Sequence, residues 1–238
     1  MSIKSTSSNL DHVQAIDDML VMQNTLNEMT NGSEWRSGMT QKGKRIDWQR
    51  CIYMETAELI DSYPWKHWKA IDAAIDIENA RVELVDIWHF LLSLALENHS
   101  YELARNELVQ ALENARTELE SKHSEIDIIE QVNIYEKLMR EALKKSKTIA
   151  GLGRLADAFF QSCHVAELDF AKLYETYMAK NVLNKFRQDH GYKEGLYIKD
   201  WDGKEDNVVM LEIIASLNTF NTSTLYQALQ EKYPKGKS

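Results

Sequence analysis

The scarcity of turn-forming residues limits the fold of this chain more than any other feature of its sequence. The 238 residues include only two prolines and nine glycines, about half the usual combined share of these residues. A β-sandwich or β-barrel needs many tight turns, and Gly and Pro supply most of the backbone conformations that such turns require. The sequence therefore excludes these folds. No segment alternates convincingly between apolar and polar residues, as a strand would. The sequence therefore predicts an all-α protein.

The net charge of −9 argues against two classes of partner. An acidic chain is repelled by the phosphates of a nucleic-acid duplex and by an anionic membrane surface, so no nucleic-acid or membrane partner is expected. A single nucleotide remains compatible with this charge, because a metal ion and a few local cations are enough to hold its phosphates.

Cysteine content and the N-terminal residues indicate the cellular compartment. Cys51 and Cys163 are too few for a disulfide scaffold and form no zinc-binding pattern, which is typical of a reducing compartment. Residues 1–8 carry no apolar signal region, and the most apolar stretch, 87–96, is too short to span a bilayer. These features predict a cytoplasmic protein.

Apolar residues recur at helical spacing along most of the chain. They predict helices over residues 13–29, 47–62, 76–98, 101–121, 124–147, 155–188 (one or two helices), 207–218 and 223–232. Asn31-Gly32 and Gly191 are expected to stop helices, and Gly151 and Gly153 to mark a break between them.

One segment differs from the rest in its charge pattern. Over residues 98–148, Glu, Lys and Arg alternate with a thin apolar stripe, which is typical of an amphipathic helical hairpin that covers a core. No long linker or repeat divides the chain. We therefore expect a single all-α domain over 1–238, with 98–148 as an inserted or dimer-facing hairpin.

Acids stand three residues apart in five places, about as often as chance would place them in a chain with 37 acids. Their surroundings are more informative than their spacing. Glu55 and Glu58 on one helix, and Glu83 and Asp86 on the next, lie among apolar residues, where carboxylates need cations, protons or a metal. By contrast, the pairs at 127/130 and 202/205 have polar surroundings and are expected to be solvated.

Residues three apart share one helix face. If the two helices pack face to face, the four carboxylates converge into an all-oxygen cluster that suits Mg²⁺ or Mn²⁺ better than zinc or copper. The alternative is two separate acid pairs, each neutralised by Lys or Arg from a neighbouring helix.

Four cations gather near the end of a late helix: Lys180, Lys185, Arg187 and Lys193. Cations are favoured at helix C-termini by the helix dipole, so this pattern has an ordinary explanation. Beside a magnesium cluster, however, the same cations are well suited to hold the phosphates of a nucleotide.

Several of these segments carry a family resemblance. They are LVMQNTLN at 20–27, Asn31-Gly32 with Trp35, WQRCIYMETAELIDS at 48–62, WKHWK at 65–69, VELVDIWHF at 82–90 and NKFRQDHGYK at 184–193. Together they resemble the all-α dimeric dUTPases, part of a wider group of helical NTP pyrophosphatases. The resemblance is weaker over 98–148 and at the C-terminal end.

The resemblance implies a helical bundle with a four-helix metal-binding core, a homodimer, and Mg²⁺-dependent hydrolysis of dUTP and dUDP to dUMP. The residues matching the family's Mg²⁺ ligands are Glu55, Glu58, Glu83 and Asp86. Those matching its uracil and sugar contacts are Gln23, Asn27 and Trp68, with Trp65 as the alternative tryptophan. Those matching its deoxyribose and phosphate contacts are Asn184, Lys185, Arg187, Tyr192 and Lys193.

The expected chemistry agrees with these residue types. Divalent ions neutralise the phosphates and lower the pKa of a bound water, whose proton Glu55 or Glu58 would accept. Amide side chains such as Gln23 and Asn27 can pair with the donors and acceptors of uracil, while a tight pocket excludes the methyl group of thymine.

Three alternatives remain open from the sequence. The first is a related helical pyrophosphatase that acts on dCTP or a damaged nucleotide. The second is a carboxylate di-iron protein, suggested by Asp86-x-x-His89 and Glu120-x-x-His123, although the second motif has polar surroundings. The third is a helical interaction protein without catalytic activity.

Overall fold

The computed structural model describes residues 10–70, 72–120, 126–217 and 219–234, apart from the side chains of residues 118–120. Within these ranges, nine α-helices and one short antiparallel hairpin form. The helices are α1 (His12–Asn31), α2 (Trp48–Asp61), α3 (Ile77–Asn98), α4 (Tyr101–Glu120), α5 (Ile128–Leu143), α6 (Ile149–Val165), α7 (Phe170–Asp189), α8 (Asp206–Ser216) and α9 (Thr222–Lys232). The strands are β1 (Asp200–Trp201) and β2 (Lys204–Glu205). The prediction of an all-α protein is confirmed.

Two compact units make up the chain. The first, Asp11–Phe170, contains α1 to α6. The second contains Leu10 and the described residues from Ala171 onward, with α7, the hairpin, α8 and α9. A single domain over 1–238, with 98–148 inserted or facing a dimer partner, stays a prediction.

Helix α3 forms the core of the first unit, because most of its side chains are buried. An apolar helix of this kind must be covered by neighbours, and α1, α2 and α6 all pack against it. The indole Nε1 of Trp88 donates to Met19 Sδ at 3.1 Å, and the Trp88 ring stacks on Phe159 with centroids 5.0 Å apart. These contacts join α3 to α1 and α6, while α2 packs directly along α3, which brings together the acids that α2 and α3 carry.

The charged segment contributes two helices to this core. α4 packs on α1 and α6, and α5 packs on α2 and α6. Tyr135 of α5 is fully buried, and its hydroxyl is hydrogen-bonded to that of Tyr63 at 2.6 Å. The ends predicted at Ser121 and Ser124 lie outside the described residues.

Helix α5 ends earlier than expected. The predicted end near Lys147 is wrong, because the helix stops at Leu143 and Lys145 then adopts a left-handed conformation with φ of 50°. The start of α5 is set by Asp127, whose side chain accepts a hydrogen bond from the backbone N–H of Glu130.

The predicted break at Gly151 and Gly153 is also wrong, because both residues lie inside α6, which begins after the N-cap Thr148. A β-carbon on Gly151 would lie 2.0 Å from Ser146 Oγ, and one on Gly153 would lie 2.0 Å from Glu107 Oε1. These glycines therefore allow close packing of the helix and its neighbours. A single sequence does not distinguish this role from helix termination.

The glycine stops after α1 and α7 are confirmed, since Gly32 and Gly191 follow these helices with φ of 98° and 77°. The sequence did not predict the hairpin. Asp202 and Gly203 both have positive φ, 55° and 86°, and Asp-Gly is a strong signal for a two-residue turn. The predicted end of α8 at Asn218 lies outside the described residues.

Candidate functional site

Three acids from two helices converge in the first unit. Carboxylate oxygens of Glu55 and Glu58 from α2 and of Glu83 from α3 all lie within 4.8 Å of one another. Glu83 is only 8% exposed, whereas Glu55 is half-buried and Glu58 is exposed. Three of the four acids that the sequence predicted to converge therefore lie together, and their role as metal ligands stays a prediction.

Burial and nearby negative charge act together on Glu55 in this cluster. Burial, together with the charge of Asp86 and the neighbouring Glu83 and Glu58, raises the pKa of Glu55 to about 8. Asp86 is outside the mutually close group but near enough for its charge to act on Glu55. Neutralisation of the α2 pair by Lys or Arg would lower the pKa of Glu55, so the raised value argues against a neighbouring cation at that pair.

The donor set fits a hard divalent cation. Every group in the cluster offers carboxylate oxygen, the ligand type that Mg²⁺ and Mn²⁺ prefer over zinc or copper. His89, the histidine of the di-iron alternative, forms a 2.8 Å hydrogen bond through Nδ1 with Gln23 Oε1, but a metal-bound histidine also forms such a bond through its second ring nitrogen, so this contact does not argue against the alternative. The rest of that motif, the Glu120 side chain and His123, lies outside the described residues.

Gln23 and Asn27 form a buried polar network beside this cluster. Gln23 Nε2 donates to Asn27 Oδ1 at 3.1 Å and to Ser93 Oγ at 3.0 Å, and Asn27 Nδ2 donates to Ser93 Oγ at 2.9 Å. His89 follows Asp86 by three positions on α3, so the network lies about one helical turn from the acids. α1 and α3 thus hold two amide side chains in fixed orientations.

The aromatic connector after α2 is much less constrained. Trp68 is 67% exposed and has a ring contact only with its neighbour His67 among the described residues, at 4.7 Å and near a right angle. Trp65 is 48% exposed, and Lys66 Nζ lies 5.5 Å from its ring centroid. Lys66 also forms an ion pair with Asp61.

The late predicted residues lie in the second unit and form two groups. Arg187 Nη1 donates to Asn184 Oδ1 at 3.1 Å, and the guanidinium carbon lies 5.9 Å from the centroid of the Tyr192 ring. Lys185 instead pairs with Asp189 and lies 5.4 Å from the ring of Tyr226. Lys193 is exposed. The unit therefore joins Asn184, Arg187 and Tyr192, while Lys185 takes other partners.

A family model described as dUTPase matches residues 15–192. The chain belongs to the all-α dimeric dUTPase family. A comparison with curated proteins finds no match. The matched range contains all four predicted metal ligands and ends at Tyr192, which leaves Lys193 outside it.

Membership of the dUTPase family establishes the reaction class. The protein is a hydrolase that acts on the phosphoanhydride of a nucleotide, and the family's reaction is the hydrolysis of dUTP. Dependence on a divalent metal is general in the family, and the acidic cluster is a candidate site for that metal. None of the described helices has both the length and the apolar character needed to cross a membrane.

Several groups that support the candidate dUTPase site were not predicted from the sequence. His89 and Ser93 fix the two amides, a role that the sequence predicted for neither residue. His89 and Ser93 are four residues apart on a buried helix, one turn beyond Asp86, so their spacing could have indicated that both face the same site. Asp206, the fully buried partner of Arg187, was also missed, because it follows a polar segment expected to be solvated.

The raised pKa of Glu55 predicts a pH-dependent stability for the metal-free dUTPase. In the folded state Glu55 keeps its proton up to about pH 8, whereas an unfolded chain releases it near 4.5. This carboxyl therefore lowers the stability of the folded protein progressively as the pH rises from about 4.5 to about 8. We expect Glu55→Gln to raise the Tm in EDTA at pH 8, with little change at pH 4.5, measured by thermal unfolding.

The control for this prediction is Glu102→Gln, an exposed acid in the first turn of α4. Its Tm should follow that of the wild type at both pH values. Added Mg²⁺ should raise the Tm of the wild type more than that of Glu55→Gln, because a ligand that binds only the folded state stabilises it. If added Mg²⁺ raised the Tm of the wild type and of Glu55→Gln equally, Glu55 would be excluded from the metal-binding cluster.

Proposed function

We propose that this dUTPase-family protein hydrolyses both dUTP and dUDP to dUMP in a Mg²⁺-dependent reaction. The main support is the convergence of Glu55, Glu58 and Glu83 within 4.8 Å, in surroundings that raise the pKa of Glu55 to about 8. Such a cluster destabilises the fold unless it binds protons or cations, so its natural role is to hold a divalent ion.

The four acids have distinct tasks in this proposal. Glu83 and Asp86 from α3, together with Glu55 and Glu58 from α2, hold Mg²⁺, for which Mn²⁺ is a substitute. When bound, the metal neutralises phosphate charge and makes water more acidic. Glu55 or Glu58 accepts the proton of the attacking water. Substitution by Gln identifies the general base. It is whichever of Glu55 and Glu58 gives a Gln variant that loses turnover but still binds the metal.

The buried amides account for base selectivity. Gln23 and Asn27 are held by hydrogen bonds to each other and to His89 and Ser93, so the orientation of both amide groups is fixed before a base arrives. Exchanging uracil for cytosine reverses a donor and an acceptor and leaves buried polar groups unpaired, which is strongly unfavourable. Asn184, Lys185, Arg187, Tyr192 and Lys193 are proposed to contact the deoxyribose and phosphates, where cations stabilise the charge of the leaving group.

The homodimer, the four-helix metal-binding core and a cytoplasmic location stay predictions. The first two come from the family resemblance, and the third from cysteine usage and the N-terminal residues. Sedimentation equilibrium of the full chain, with and without Mg²⁺, tests the dimer directly.

A substrate panel tests the proposed reaction. The protein is incubated with dUTP, dUDP, dTTP, dCTP or UTP, with and without Mg²⁺, and products are followed by phosphorus NMR. We expect Mg²⁺-dependent release of pyrophosphate from dUTP and of orthophosphate from dUDP, with much slower turnover of the other nucleotides. Preferential turnover of dCTP would contradict the base assignment. Equal rates with EDTA and Mg²⁺ would contradict the metal assignment.

A further inference from the structure

Arg187 of α7 is held by a buried carboxylate that comes later in the chain. Its Nε donates to Asp206 Oδ2 and its Nη2 donates to Asp206 Oδ1, each at 2.8 Å. The Asp206 side chain is 0% exposed and that of Arg187 is 12% exposed. A two-point contact of this kind fixes the plane of the guanidinium group as well as its position.

Further contacts hold this pair in place. The Tyr197 hydroxyl donates to Asp206 Oδ2 at 2.7 Å. The next residue, Asn207, accepts hydrogen bonds through Oδ1 from Arg187 Nη2 at 3.2 Å and from Nζ of the buried Lys180 at 2.8 Å. The first two residues of α8 therefore hold two cations of α7.

The charge state of Asp206 is settled by this contact. Burial raises the pKa of its carboxyl, but the hydrogen bonds from Arg187 and Tyr197 and the charges of Arg187 and Lys180 together lower the pKa by more, so Asp206 is ionised near neutral pH. A buried ion pair adds little stability compared with apolar side chains of the same volume. A gain in stability therefore does not explain the Arg187–Asp206 pair well. The direct effect of the pair is to fix the orientation of the guanidinium group.

The other cation of the late motif, Lys185, provides a contrast. Its side chain is 52% exposed in an ion pair with Asp189, and exposed pairs of this kind are weak and easily exchanged. Lys185 can leave its partner when a phosphate arrives. Arg187 cannot leave Asp206 in the same way, because the buried carboxylate would then lose the counter-charge to which it is hydrogen-bonded.

We propose that Asp206, with Tyr197, is a positioning residue that fixes Arg187 in the orientation used to bind the substrate phosphates. The inference rests on the proposed role of Arg187 in phosphate contact. It gives a function to residues beyond the range that the dUTPase family model matches, which ends at residue 192. Asp206 acts through Arg187 and does not touch the substrate.

A double-mutant cycle tests this proposal, with kcat and KM for dUTP and the Tm measured for each protein. The variants are Asp206→Asn, Arg187→Gln and the double variant, in the full chain with Mg²⁺. We expect each single change to raise KM about tenfold or more, because a small misplacement of a positioning group is costly. The double variant should be no worse than Arg187→Gln, because Asp206 has no effect once Arg187 is gone.

Tyr197→Phe covers the case in which Asp206→Asn fails to fold, because it keeps both charges and removes one hydrogen bond. It should raise KM in the wild-type background and leave KM unchanged in the Arg187→Gln background. The matched control is Glu212→Gln, which breaks the exposed pair of Glu212 with Lys204 in the same unit. This control should keep the wild-type KM and Tm.

The possible failures have different signatures. A wild-type protein that does not hydrolyse dUTP contradicts the proposed function. If the wild type is active but Arg187→Gln keeps its KM, or if the effects of Arg187→Gln and Tyr197→Phe multiply, the positioning role is wrong. A lower Tm with unchanged KM in the folded Asp206→Asn or Tyr197→Phe variant would show that the pair is purely structural.

Discussion

Glu83→Gln should reduce the turnover of dUTP by about 10³-fold while the protein stays folded. Glu83 is the most buried member of the carboxylate cluster, and its oxygens lie within 4.8 Å of those of Glu55 and Glu58. Gln preserves the shape of the side chain but removes the negative charge that binds a cation. A metal contributes several kcal/mol to stabilising transition-state charge, and each 1.36 kcal/mol corresponds to about tenfold in rate.

Initial rates of pyrophosphate release and the Tm, both measured across a Mg²⁺ titration, check this prediction. The matched control is Glu78→Gln, the same substitution in the first turn of the same helix, where the exposed acid pairs with Arg81. The control should retain the wild-type rate. The Tm of metal-free Glu83→Gln should equal or exceed that of the wild type, since one of several mutually repelling acids is neutralised. Near-normal turnover in Glu83→Gln would exclude Glu83 from the metal site.

The parts of the site that the sequence predicted depend on local periodicity and burial. Spacing by three residues placed Glu55 with Glu58, and Glu83 with Asp86, on common helix faces. The apolar residues around Glu83 indicated a buried helix that must pack against others. A second helix with the same unusual combination of apolar residues and paired acids was the natural partner, and the packing of α2 along α3 confirms this.

The parts that the sequence did not predict depend on contacts between residues distant in the chain. Gly153 resembles a helix breaker until Glu107 of α4 is placed beside it. Cations near a helix end have an ordinary explanation in the helix dipole, so the pattern around Arg187 gave no hint of its partner. Asp206 follows 19 residues later, at the first position of α8, and only the tertiary structure brings its carboxylate to the guanidinium.

The sequence left open which of the two tryptophans in the connector after α2 contacts the substrate. Trp68 is the more exposed of the two and has few contacts to hold it, whereas the ring of Trp65 has a cation–π contact with the neighbouring Lys66. A large aromatic ring exposed to water contributes little to the stability of the fold. It is available to stack on the face of a base, an interaction of about 1–3 kcal/mol for each base.

Trp68→Ala should therefore raise the KM for dUTP by roughly 10- to 100-fold, with little change in Tm, because its 67% exposed side chain has little packing to lose. Its matched control is Trp65→Ala, in the same connector. That variant should keep a KM close to that of the wild type and lose more stability, since Trp65 is less exposed. Steady-state kinetics and thermal unfolding of both variants check the prediction. The reverse pattern, in which KM rises for Trp65→Ala and not for Trp68→Ala, would assign the stacking contact to Trp65.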